Sequence, residues 1–175
     1  AITDIAGNTL GNDYLWSFFT VDGAWNTTPG TITGSGLGIT NPHGPQLSVG
    51  ENGDAMAVWV DEGKTPTDIY ASYFSASTTT WTSKVLLDKE ASIPTSLPRV
   101  SMNLEGTTMA IWIAGNGTGD NVQSSLYSTT TGVWSEPVTL DNVLNLSNAT
   151  LPEISLNDNG QVIAAWLQDE LQGDS

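Results

Sequence analysis

Apolar positions along the chain fall into strand-like alternations that return with a long period. The stretch from Pro98 to Trp112 has gapless counterparts at 45–59 and 152–166. Each copy carries Pro, then Ser three residues on, Gly eight on, Ala twelve on and Trp fourteen on. Starts at 45, 98 and 152 set periods of 53 and 54 residues, the range of propellers, solenoids and repeat arrays. The opening half of each motif alternates, with Gln46 and Ser48 against Leu47 and Val49, and Arg99 and Ser101 against Val100 and Met102. One side of that strand is wetter. The closing half is apolar on both sides, with Met56, Val58 and Val60 on one and Ala55, Ala57 and Trp59 on the other. A strand apolar on both faces has to be covered on both.

Two more strand candidates stand in each period. Residues 13–20, 68–75 and 121–128 are rich in aromatic and β-branched types, and a polar loop after each ends in Trp25, Trp81 or Trp134. A short strand follows at 84–87 and 137–140, with 31–33 as a weaker first version, while 1–12 reads as a loop or lead-in. No helix pattern interrupts. The period therefore predicts four antiparallel strands, A to D, and an all-β fold: a β-propeller of four-stranded blades, each dry B strand packed between two neighbouring blades. Small Ala beside large Trp on one face suits interdigitation between adjacent sheets, and Gly53, Gly106 and Gly160 fall in the A–B turn.

The phase of the repeat sets the domain organisation. As one propeller unit over 1–175, residues 1–44 hold the lead-in and strands C–D, 45–97 and 98–151 are whole blades, and 152–175 supply strands A–B. That makes three blade equivalents, with one blade split between the termini. Propellers have four to eight blades, so two readings stand: a fragment of a longer chain, or two chains forming a six-bladed ring with split blades completed between subunits. The homodimer is favoured, because a second copy supplies both missing halves.

Composition narrows the partners. The chain of 175 residues has 4 Lys+Arg against 19 Asp+Glu, a formal net charge of -15, which disfavours nucleic acid and anionic membranes. It contains no Cys, which removes disulfides, thiol catalysis and Cys-ligated zinc. No apolar run of membrane-spanning length and no signal-peptide pattern is read in the given residues, and a signal already removed stays an open alternative. Few Lys among abundant Thr, Ser, Asn and Gly is the composition of a secreted or cell-surface bacterial protein.

The pattern of Pro-x-aliphatic-Ser, Gly and Ala-x-Trp, followed by an aromatic strand and a second Trp, resembles bacterial β-propeller repeats of the sialidase-like, Asp-box-related type over 13–167. The box itself is degenerate: 20–25 and 128–134 keep parts of it, and 75–81 lacks both its Asp and its Gly. The resemblance implies that these boxes are structural. It also implies that sialidase activity is excluded, since that family clamps a substrate carboxylate with three Arg and this chain has Arg99 alone.

Trp59, Trp112 and Trp166, with Trp25, Trp81 and Trp134, read as structural repeat residues packed in the core. Trp16 differs, because the same slot holds Ala71 and Ser124 in the other copies; it would stack on a ligand or fill a subunit seam. Gln46, Arg99 and Glu153 share one slot on the innermost strand and would form a polar ring in which Arg99 pairs with Glu153. Asp61 and Asp120 belong to an acidic set of B–C loops. These six are the candidate ligand-binding residues. His43, the one histidine, lies outside any triad context, and no catalytic residue is assigned. Calcium would suit the acidic loops, but no EF-hand or RTX-like spacing is present, so no metal or cofactor is assigned. The expected function is a non-catalytic propeller that binds a glycan or protein through its loop-rich end. The alternative is a glycoside-processing enzyme using two loop carboxylates.

Overall fold

The computed structural model describes residues 32, 41–63, 65–89, 93–115, 119–141 and 148–169. The chain divides into two compact units, Ala1–Gly30 and Thr31–Ser175, and everything described belongs to the second. The strand expected at 13–20, Trp16 and Trp25 lie outside the described residues; of 31–33 only Ile32 is described, in a turn.

The second unit is all-β, with every strand pair antiparallel. Its strands are β1 (Pro42–Val49), β2 (Ala55–Asp61), β3 (Asp68–Ser75), β4 (Thr80–Trp81), β5 (Val85–Leu86), β6 (Thr95–Met102), β7 (Thr108–Gly115), β8 (Asp120–Ser128), β9 (Val133–Trp134), β10 (Val138–Thr139), β11 (Ala149–Leu156) and β12 (Val162–Gln168). They form three sheets. The first runs β1-β2-β3-β4 with β5 also on β3, the second runs β6-β7-β8 with β9 and β10 on β8, and the third is β11-β12. No sheet closes on itself among the described residues. Each sheet is one sequence repeat, the third being half of one.

Gly53, Gly106 and Gly160 take φ of 81°, 82° and 76° in the turn that joins the first two strands of each repeat. Gly160 has open space around a Cβ, whereas a Cβ on Gly106 would stand 3.0 Å from Thr129 Cγ2, so there the backbone sign and close packing both require glycine.

Two features differ from the sequence expectation. The first strand of each repeat begins three residues before its Pro, because a bulge carries pairing past a residue that has no N–H to donate. The last strand is broken into two short pieces, β4 and β5 or β9 and β10. The break has a side-chain cause. Thr82 N donates to Tyr73 O at 2.8 Å, but Tyr73 N donates to the Thr82 hydroxyl at 3.0 Å instead of to a carbonyl. Ser135 repeats this with Leu126 (2.8 and 3.0 Å). The displaced carbonyls of Thr82 and Ser135 accept from Ser72 Oγ and Ser125 Oγ, both at 2.8 Å.

The core lies between sheets. Met56, Val58 and Val60 of β2 pack with Trp112, Ala110 and Ala114 of β7, and Ile111 and Ile113 on the other face of β7 pack with Ala164 and Trp166 of β12. Trp112 is fully buried. Trp59 points the opposite way from Met56, with Ala57, Tyr70, Trp81 and Ile32. For β7 the dry, two-faced second strand is thus explained by one sheet on each side. The motif Ser ties neighbouring sheets together: Met102 N donates to Ser48 Oγ and Leu156 N to Ser101 Oγ, both at 3.0 Å.

Candidate functional site: the bulged ends of the first strands

The first strand of every repeat is bulged at one place. Gly44 and Pro45 oppose Trp59 alone, since His43 pairs with Val60 and Gln46 with Val58. Leu97 and Pro98 face Trp112 in the same way, and Leu151 and Pro152 face Trp166. The fixed Pro-to-Trp spacing of the motif is therefore the spacing of a bulge and the indole opposite it. The extra residue takes a left-handed conformation each time, with φ of 59° at Gly44 and 49° at both Leu97 and Leu151. For glycine this is free; for leucine it costs on the order of 1–2 kcal/mol. Both leucines are exposed, at 40% and 55%, so core burial does not offset that strain.

Immediately after the bulge stand Gln46, Arg99 and Glu153. Arg99 Nε donates to Glu153 Oε1 at 3.1 Å, and its Nη1 donates to Pro98 O at 3.0 Å. Gln46 Nε2 likewise turns back to Pro45 O at 3.1 Å. The slot shared in sequence thus brings Arg99 and Glu153 together in space, while Gln46 serves its own bulge. At the same end of the first sheet, His43 Nε2 lies 2.9 Å from Glu62 Oε1, and Asn41 Nδ2 donates to Glu62 Oε2 at 3.3 Å.

The acidic loops are less wet than their composition suggests. Asp61, Asp88 and Asp141 are all buried. Asp61 Oδ1 accepts from Asn41 N and Gly63 N, both at 3.1 Å, which holds the loop after β2 against the entry to β1. Asp88 Oδ1 accepts from Ile69 N and Asp141 Oδ1 from Val122 N, both at 3.0 Å, so each carboxylate caps the start of a third strand. Burial pushes Asp88 up from 3.8 to about 6, and burial raises Asp141 as well. Asp88 Oδ2 lies 2.5 Å from Thr95 Oγ1; the slot of Thr95 is Ala149 in the next repeat, and Asp141 Oδ2 meets no hydrogen-bond partner among the described residues. Asp120, half-buried, opens β8 opposite Gly115, where a Cβ would stand 3.2 Å from Asp120 Oδ1.

A second feature escaped the sequence reading. A groove of about 360 Å³ runs between the first two sheets, lined by Tyr73, Leu87, Lys89, Tyr127, Val133 and Trp134 among others. Tyr73 and Tyr127 stack at 5.6 Å between centroids, and Tyr127 meets Trp134 at 5.5 Å. Burial, with the nearby Asp54 carboxylate, pushes the Tyr73 phenol up to about 12 and raises Tyr127, so both hydroxyls stay neutral. The signal available was the aromatic content of the third strands, which reads as core. Leu97 and Leu151 were also missed; their only trace is that each precedes the motif Pro.

What these groups offer is recognition. An exposed apolar pair, a guanidinium–carboxylate pair and a rigid, strained backbone are assembled at one end of the first strands. Among the described residues, no cluster of three His, Cys, Asp or Glu is placed to hold a metal ion.

No family model and no curated protein matches the chain. Among solved structures, an endo-arabinase from Bacteroides thetaiotaomicron is similar at 14% identity and a TM-score of 0.47, over 80% of this chain and 55% of that one, so the chain spans about half the length of that enzyme.

Proposed function

We propose that this chain is a non-catalytic β-propeller that binds a glycan or protein, its three sheets being successive blades and its bulges ringing the mouth of the central channel. Two chains complete a six-bladed ring, each lending the strands that the other's split blade lacks. The protein acts outside the cell or on its surface and needs no cofactor for this role. One observation carries the reading: the bulge recurs in three repeats with the same backbone sign, and in two of them it holds an exposed leucine in strain beside the Arg99–Glu153 pair. A fold keeps such strain where the geometry is used.

A glycan array read together with hydrolysis assays on every hit tests this. Binding without turnover, reduced at least tenfold by Arg99→Ala, is the expected result. Turnover that disappears when one loop carboxylate is replaced would establish the glycoside-processing alternative instead. Binding untouched by Arg99→Ala would move the site away from the bulged end.

A further inference from the structure

The groove between the first two sheets has no part in the bulged site. It lies along β5 and β9, on the far side of β3 and β8 from β1 and β6. Its floor is aromatic. Tyr73 and Tyr127 stack across the two sheets with 25° between their planes, and Tyr127 and Trp134 are splayed at 54°. Val85 and Val133, 44% and 59% exposed, stand on its walls, and its volume of about 360 Å³ is at the small end of ligand sites.

Packing alone does not ask for this floor. Tyr73 pairs with Met56, and in the next repeat Leu126 pairs with Met109, so the same slot accepts an aliphatic residue. The polar groups of the lining divide by whether the fold uses them. Ser72 Oγ donates to Thr82 O, Thr82 Oγ1 accepts from Tyr73 N, and Ser135 Oγ accepts from Leu126 N and donates to Glu136 O. Those hydroxyls are committed. The Tyr127 hydroxyl and Trp134 Nε1 meet no hydrogen-bond partner among the described residues, and both side chains are half-buried. Burial raises the Tyr127 phenol, so it keeps its hydrogen. The lining contains no carboxylate and no carboxamide, and its one charged side chain is Lys89, paired with Glu136.

In a chain of net charge -15, this groove thus presents ring faces and unused donors with almost no side-chain acceptors. An indole N–H and an ammonium can only donate. The complementary partner brings apolar rings and carbonyls and needs no acceptor in return. Proline meets all three conditions, since it has a carbonyl but no N–H, and a polyproline II segment is already extended before it binds. A sugar meets them less well, because each of its hydroxyls brings a hydrogen that seeks an acceptor.

We infer that the groove binds a proline-rich segment of a partner protein in the polyproline II conformation. Its proline rings lie on Tyr127 and Trp134, and Tyr127 O–H and Trp134 Nε1–H donate to its carbonyls. The site is separate from the Arg99–Glu153 end and does not depend on how many chains assemble.

Fluorescein-labelled decaproline, followed by anisotropy as the full chain is titrated in, tests this. Saturable binding is expected. Trp134→Phe and Tyr127→Phe each keep a ring and lose a donor, and each should weaken binding by roughly two- to tenfold. Tyr73→Leu, which installs the residue of the next repeat, should weaken it at least roughly fivefold. Urea unfolding of each variant against the parent separates lost binding from lost fold. Absence of saturable binding would overturn the inference, and so would binding that all three variants leave unchanged. Decaproline binding lost in Arg99→Ala instead would put the peptide at the bulged end. Cellohexaose binding that is weakened by the same three variants, with no binding of decaproline, would make the groove a glycan site and defeat the proline reading.

Discussion

Asp88 provides a test of the buried loop carboxylates as structural groups. Its Oδ1 accepts from Ile69 N, and its Oδ2 lies 2.5 Å from Thr95 Oγ1, which in turn lies 2.8 Å from Thr67 O. A hydroxyl has one hydrogen, so Thr95 cannot donate to both oxygens at once. A protonated Asp88 resolves this: Oδ2–H donates to Thr95, and Thr95 donates to Thr67 O. The rise of Asp88 from 3.8 to about 6 agrees in direction, with burial as its first cause. Between those values the folded protein holds a proton that the unfolded chain has lost. Stability therefore falls as pH rises from about 4 to about 6, and the ionised carboxylate costs at most about 3 kcal/mol above that window.

Asp88→Asn reproduces the protonated pattern at every pH, its amide N–H donating to Thr95. The amide also buries a second N–H that the acid lacks, which costs about 1 kcal/mol. The variant should thus be less stable than the parent by about 1 kcal/mol at pH 4 and more stable by up to about 2 kcal/mol at pH 7.5. Urea unfolding followed by tryptophan fluorescence at both pH values, at one protein concentration, measures the difference. Asp141 titrates in both proteins and cancels. A variant that is destabilised at pH 7.5, or a difference that does not change with pH, would show that the ionised carboxylate is the form the fold requires.

Other consequences are measurable in the same way. Ser101→Ala removes the acceptor of Leu156 N at a sheet–sheet contact and should cost about 1–2 kcal/mol in urea unfolding. Ala149→Thr restores to Asp141 the hydroxyl that Asp88 has from Thr95 and should raise Tm by a few degrees, about 1 kcal/mol; a fall would mean that Ile111, Ile113 and Val122 leave the new methyl no room. Trp112→Ala removes the most buried indole among the described residues and should cost about 3–5 kcal/mol, with unfolding at markedly lower urea. Arg99→Ala should cost less than about 1 kcal/mol in stability, because its partner Glu153 is largely exposed, while weakening the proposed ligand binding at least roughly tenfold.

A period-2 pattern records which face of a strand is dry, and that was enough for the second and third strands. Trp112 and Met56 fall on the faces their alternation assigned, and β3 has the expected bounds, while β2 runs on to Asp61, which the sequence placed in the loop that follows. The pattern does not record what hydroxyls bond to. Thr82 and Ser135 look like ordinary polar strand residues, yet each stands in for a carbonyl and breaks the last strand. Acidic loops read as solvated because their residue types are usually exposed. Asp61, Asp88 and Asp141 are buried because each accepts a backbone N–H that would otherwise go unsatisfied at a strand end. A trace of this was present, since Asp88 and Asp141 recur one repeat apart.

Repeats hide a site for a physical reason. Whatever the three copies share is what packing demands, and the Pro–Trp spacing proves to be a bulge with its indole. Recognition has to come from positions that packing leaves free to differ, and those carry no pattern to read. Gln46, Arg99 and Glu153 share a slot, so the repeat alone placed Arg99 next to Glu153, where the ion pair is found at 3.1 Å. Leu97 and Leu151 could not be found that way: hydrophobicity in a strand reads as core, and only the backbone sign reveals that these two are strained and turned to solvent.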